Sequence, residues 1–166
     1  MSQSRRVVYL SLFIAAGILL QLMESFFPVV MIVPGYKIGI ANVASLFALY
    51  MFGIREMWIV ALGRIVLAAL MQGNIFSVPF LLSMSGGILS LVAMSIGFRC
   101  RLFSIYGVSV LGACFHNVGQ VLAISWIYQQ YFMRLFLPIL LALSIVSGLC
   151  IALLSQNVYE RLKGRI

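Results

Sequence analysis

The side chains best equipped to recognise a ligand in this chain are Lys37, Asn42, Arg64, His116, Asn117 and Gln120. All six stand in, or at the edge of, long apolar stretches, where a polar group is costly unless it finds a partner. His116 and Gln120 are four residues apart, which puts them on one face of a helix. The set is rich in hydrogen-bonding groups and poor in groups that turn a substrate over. The chain has three acids, Glu24, Glu56 and Glu160, and no aspartate. Clustered carboxylates that hold Mg²⁺ against a diphosphate cannot be assembled from them. The two lysines, Lys37 and Lys163, end no GxxxxGK loop, so nothing here points to ATP hydrolysis. A lone histidine without a carboxylate relay gives no basis for proton-driven transport. No serine stands beside a base as an evident nucleophile. The three cysteines are far apart, lack metal-ligand spacing and read as reduced, small apolar residues. The chemistry expected is binding without catalysis, with no metal and no cofactor.

The elements that hold these residues follow from composition. The chain has 166 residues, 64% hydrophobic and 8% charged, where a soluble domain carries about 25% charged residues. Its apolar runs are continuous rather than alternating, which favours helices over a membrane barrel. The expected fold is all-α, a single membrane domain over residues 1–166. Six apolar segments are expected: 7–27, 38–54, 57–71, 76–98, 105–128 and 135–158. A span needs roughly 20 residues at 1.5 Å each, and the second and third segments are short for it. Pro28 and the Pro34-Gly35 pair break the apolar stretch between the first two segments. That loop either folds back as a cap or lies in the headgroup zone.

Charge sets the expected orientation. Arg5, Arg6, Arg55, Arg99, Arg101, Arg161, Lys163 and Arg165 fall on one side; the other side has Lys37 and Arg134, with Arg64 inside a span. The bias puts both termini in the cytoplasm of a multi-pass cell-membrane protein. Trp126, Tyr128 and Tyr131 then sit at the outer interface, as aromatic residues often do. The net charge of +8 is spread over loops and ends, so it forms no nucleic-acid-binding face. Glu24, Lys37, Asn42, Gln72, Asn74, Asn117 and Gln120 fall in the outer half, with Arg64 and His116 near the middle, which suggests an outward-opening polar pocket. Each member also has a structural reading. Lys37 can snorkel to the headgroups, Arg64 can pair with Glu24, and Asn42 and Asn117 can join helices by hydrogen bonds. Gly86, Gly87, Gly112, Ala113 and Gly119 read first as close-packing positions, and Ser11 and Ala15 form a small-xxx-small pair.

Three stretches carry a family resemblance: "PGYKIGIANVASLFALYMFG", "SMSGGILSLVAM" and "GACFHNVGQ". They resemble the heptaprenyl diphosphate synthase component I family, also called the Gx transporter family, over roughly residues 7–158. That family is similar to the substrate-binding S-components of energy-coupling-factor transporters. The resemblance implies a bundle of six transmembrane helices that binds a small vitamin-like solute from outside. It also implies a transmembrane coupling protein and two ATPases as partners. The S-component family has alanines on the coupling face of its first helix; here the matching pair is Ser11 and Ala15. Two rival readings remain. One is a non-catalytic membrane subunit of a prenyl-diphosphate synthase in menaquinone biosynthesis, acting through the face around Arg99 and Arg101. The other is an enzyme acting on a lipid.

Overall fold

The computed structural model describes residues 3–26, 39–129 and 135–163. Six helices run through them: α1 Gln3–Phe26, α2 Asn42–Phe52, α3 Ile54–Met71, α4 Val78–Cys100, α5 Ile105–Tyr128 and α6 Leu137–Lys163. No strand occurs among the described residues. Four helices, α1, α4, α5 and α6, are long and apolar enough to cross a membrane. The shorter α2 is 11 residues, about 16 Å at 1.5 Å per residue. The 18 residues of α3 include Arg55, Glu56 and Arg64, which breaks its apolar run. Lys37 and the Pro-Gly loop lie outside the described residues.

Helix α2 forms the buried centre. Leu46, Ala48 and Leu49 are sealed from solvent, and the helix packs on α1, α3 and α6. Around it, Met57, Ala61, Leu91, Met94, Val108 and Ile151 bring α3, α4, α5 and α6 into one apolar cluster. Ala44, Ala48 and Val60 form a second cluster beneath Leu10, Phe13 and Ile14 of α1. Helix α1 is the least enclosed; Val8, Leu12, Leu19 and Met23 all face outward, where bilayer hydrocarbon or another apolar surface would suit them.

Local backbone chemistry explains where the helices break. Gly53, at φ 114, separates α2 from α3, a conformation that L side chains rarely adopt. The sequence pattern predicts that the second helix starts near Ile38 and buries Asn42 four residues in. The structure instead places a turn at residues 39–41, with Gly39 at φ 82, and makes Asn42 the first residue of α2. Hydropathy cannot register this turn, because Ile38, Ile40 and Ala41 are as apolar as the helix that follows. The tightest crossing is between α4 and α5. A Cβ on Gly119 would lie 2.7 Å from the Ser85 carbonyl oxygen, and one on Gly86 2.7 Å from the His116 carbonyl oxygen. The two backbones meet because neither glycine has a side chain to separate them.

Candidate functional site

Arg64 organises the polar interior. It lies about 15 Å along α3 from Ile54, at 1.5 Å per residue, and is only 5% exposed. Gly17 of α1 makes room for its stem; a Cβ there would come 2.9 Å from Arg64 Cδ. One terminal guanidinium nitrogen of Arg64 donates to Gln21 Oε1 at 3.2 Å. The other donates to Asn42 Oδ1 at 2.6 Å. Its Nε–H has no hydrogen-bond partner among the described residues. The guanidinium thus bridges α1, α2 and α3 through two neutral amides.

Glu24 supplies the next link. Its Oε1 accepts the Gly39 N–H at 2.5 Å. The Asn42 N–H in turn donates to the Gly39 carbonyl oxygen at 2.8 Å, so Glu24 holds the turn that starts α2. Gln21, Glu24, Asn42, Arg64, Ser83 and His116 surround one cavity. Its volume is about 20 Å³, where a single water needs roughly 10–15 Å³. In this conformation the chamber is water-sized. Gly39 and Asn42, at the start of α2, line it. Non-helical backbone deep in an apolar bundle is tolerated where it lines a polar cavity, and broken helix ends commonly mark ligand sites in transport proteins.

The six residues expected to bind do not all converge. Asn42, Arg64 and His116 line the chamber. Gln120 stands behind His116, with its Nε2 at 3.2 Å from the imidazole Nε2. Asn117 turns toward α6, where its Nδ2 donates to Ser144 Oγ and to the Leu140 carbonyl oxygen at 3.4 Å. Ser144 Oγ also donates to that carbonyl at 2.6 Å, so Asn117 joins α5 to α6 in this structure. Lys37 lies outside the described residues. Ser11 and Ala15 are exposed on α1. Gln21 and Ser83 were not anticipated as lining residues. A signal for Gln21 did exist: Gly17, Gln21 and Glu24 follow the spacing of one helix face.

Away from the chamber, Arg6 pairs with Glu56 at the starts of α1 and α3. Glu160 accepts a hydrogen bond from Gln156 Nε2 at 2.9 Å near the end of α6. The three acids therefore stand in three separate places. Among the described residues, no group of three or more His, Cys, Asp or Glu side chains could hold a metal ion. Cys100, Cys114 and Cys150 are free.

The family described as Heptaprenyl diphosphate synthase component I matches residues 13–158. The chain belongs to that family. The match takes in α2 to α5 whole, with most of α1 and α6, and so includes every chamber residue. The expected family is thereby shown. No curated protein and no solved structure gives a match.

Proposed function

We propose that this chain is a non-catalytic membrane subunit that works beside a prenyl-diphosphate synthase, the enzyme for which its family is named. The observation that carries this reading is the family match over residues 13–158. The dispersed acids support a non-catalytic role: prenyl transfer needs carboxylates gathered around Mg²⁺ and a diphosphate. Here Glu24 holds a backbone turn and Glu56 pairs with Arg6. The synthase would dock at the end of the bundle where α4 turns into α5. Arg99 and Arg101 are exposed there, beside Leu102, which is 85% exposed. Affinity purification of the tagged chain from its own membranes tests this reading. The synthase is expected to follow it, and Arg99→Glu with Arg101→Glu is expected to release it. Recovery without any synthase, or a charge-reversed variant that holds it equally well, would remove this reading.

A second reading is favoured by the chamber. In it the chain is the solute-binding subunit of an energy-coupling-factor-type uptake system, in a six-span arrangement with both termini cytoplasmic. The buried group at Arg64 and the break before α2 give a polar interior on the side of the bundle away from the basic ends. A small solute would be held by Asn42, Arg64 and His116, with Gln120 bracing His116, Asn117 joining α5 to α6, and Lys37 a further candidate by its side-chain charge. Ser11 and Ala15 would meet a transmembrane coupling protein served by two ATPases. Native mass spectrometry of the purified protein discriminates the readings. A solute carried through purification and lost in Arg64→Ala supports uptake. A protein that carries only lipid, with or without Arg64, counts against it.

A further inference from the structure

A second cavity lies next to the chamber. It is lined by Ala69, Gln72, Asn74, Pro79 and Phe80, and shares Gln21, Ile65 and Ser83 with the first. We propose that the turn between α3 and α4 is the mouth of a polar path that passes between Gln21 and Ser83 to Arg64. The path admits small water-soluble solutes bearing a carboxylate, sulfonate or phosphate oxygen, and Gln21 is the side chain that gives way. This deepens the uptake reading, and rests on it only for the side from which the solute arrives.

Three features carry the proposal. The mouth is polar and shaped by its backbone: Asn74 Nδ2 donates to Gln72 Oε1 at 3.3 Å, between left-handed residues Gly73 (φ 63) and Phe76 (φ 62). A bulky residue at positive φ is strained. Phe76 nevertheless stands 81% exposed, edge-on to Phe80 with ring centroids 6.1 Å apart. The neck falls between helices that are not principal neighbours. Helix α1 packs mainly on α2 and α3, and α4 mainly on α3 and α5. At the inner end is a buried cation whose two hydrogen-bonded partners are amide oxygens and whose Nε–H has no partner among the described residues; Glu24, on the same cavity, has its Oε1 bonded to the Gly39 N–H. An oxyanion makes a charge-assisted bond stronger than that of an amide. It can therefore displace Gln21 Oε1 from Arg64, and the same displacement clears the neck.

Cysteine labelling tests the path without a known ligand. Cys100, Cys114 and Cys150 are replaced by serine, and Ser83→Cys or Ala69→Cys is introduced as the reporter. Leu67→Cys, on the outward side of α3, serves as the control. In oriented vesicles, each reporter is treated with an impermeant methanethiosulfonate carrying either a sulfonate or a trimethylammonium group. Rates are normalised to those with a small free thiol. Both reporters are expected to react several-fold faster than Leu67→Cys. The sulfonate reagent is expected to outpace the cationic one several-fold, because Arg64 is held by neutral amides while the Glu24 carboxylate on the same cavity is already bonded to the Gly39 N–H. Gln21→Ala is expected to speed both reporters further. Reporters no faster than Leu67→Cys, a cationic reagent that reacts equally fast, or indifference to Gln21→Ala would each overturn the proposal. Solute retention by the unmodified protein is read separately. Labelling that fails while solute is retained sinks the path alone; labelling that succeeds without retention leaves the path and removes uptake.

Discussion

Arg64 is the residue on which most of the polar interior depends, since its bonds reach α1 and α2 at once. Replacing it with methionine removes the charged donor from Asn42 Oδ1 and from Gln21 Oε1, both buried. The expected loss is about 1.5–3 kcal/mol, the range for hydrogen bonds to charged groups, read as a fall in Tm in detergent. Arg64→Lys is expected to restore less than half of it, because an ammonium is a point charge and cannot span two amides as a planar fork does. Equal stability of the wild type and the lysine variant would show that the fork does not matter. Asn117 behaves differently. Asn117→Ala is expected to cost about 0.6 kcal/mol and at most about 1.7, with a marked non-additivity against Ser144→Ala in a double-mutant cycle. It should leave solute retention largely intact. A retention loss as deep as that of Arg64→Ala would place Asn117 in the ligand site. The direction of Asn117 was not legible in the sequence. Asn117 stands about 100° from His116 but only about 60° from Gln120 on the helix, so the sequence alone leaves it able to serve either face.

At the scale of the helix, the glycines at the α4–α5 crossing set the geometry on which His116 depends. Gly119→Ala would push a methyl group into the backbone of Ser85 and Gly86, and rigid backbone cannot yield as a flexible side chain can. A loss of about 1–3 kcal/mol is expected, as for overpacking elsewhere. Gly63→Ala is the contrasting case. The nearest atoms to its methyl would be those of the Ile14 side chain, Cδ1 first at 3.2 Å, and alanine favours the helix by about 1 kcal/mol, so stability should hold or rise. Thermal unfolding of the two variants side by side checks the contrast. Hydropathy made the long helices visible because each is a sustained apolar run: α5 starts and ends where the pattern puts it. The true start of α2 stayed hidden. It depends on the φ of Gly39 and on a carboxylate 15 residues earlier in the chain, and apolarity encodes neither. The pairing of Arg64 with Gln21 was hidden for a similar reason, since which helices become neighbours is a property of the assembled bundle.

At the scale of the whole molecule, the ends of the bundle differ in kind. One carries exposed arginines and the Arg6–Glu56 pair; the polar chamber lies away from it, beyond the start of α2. Between them α1 offers an outward face that includes Ser11 and Ala15. Bulky substitutions there, Ser11→Trp or Ala15→Trp, are expected to leave Tm nearly unchanged, because neither side chain is packed inside. In the uptake reading they would strip the protein from its coupling partner in a pull-down. A variant that unfolds would show that this face is packed in the native protein, and one that keeps its partner would move the contact elsewhere. The bond between the Glu24 carboxylate and the Gly39 N–H has a further consequence. It clasps the chain on either side of residues 27–38, so the chamber wall and the start of α2 are fastened to each other directly. The intervening segment is thereby made exchangeable. Its length and sequence can change while Glu24 still fastens the start of α2 to the chamber wall.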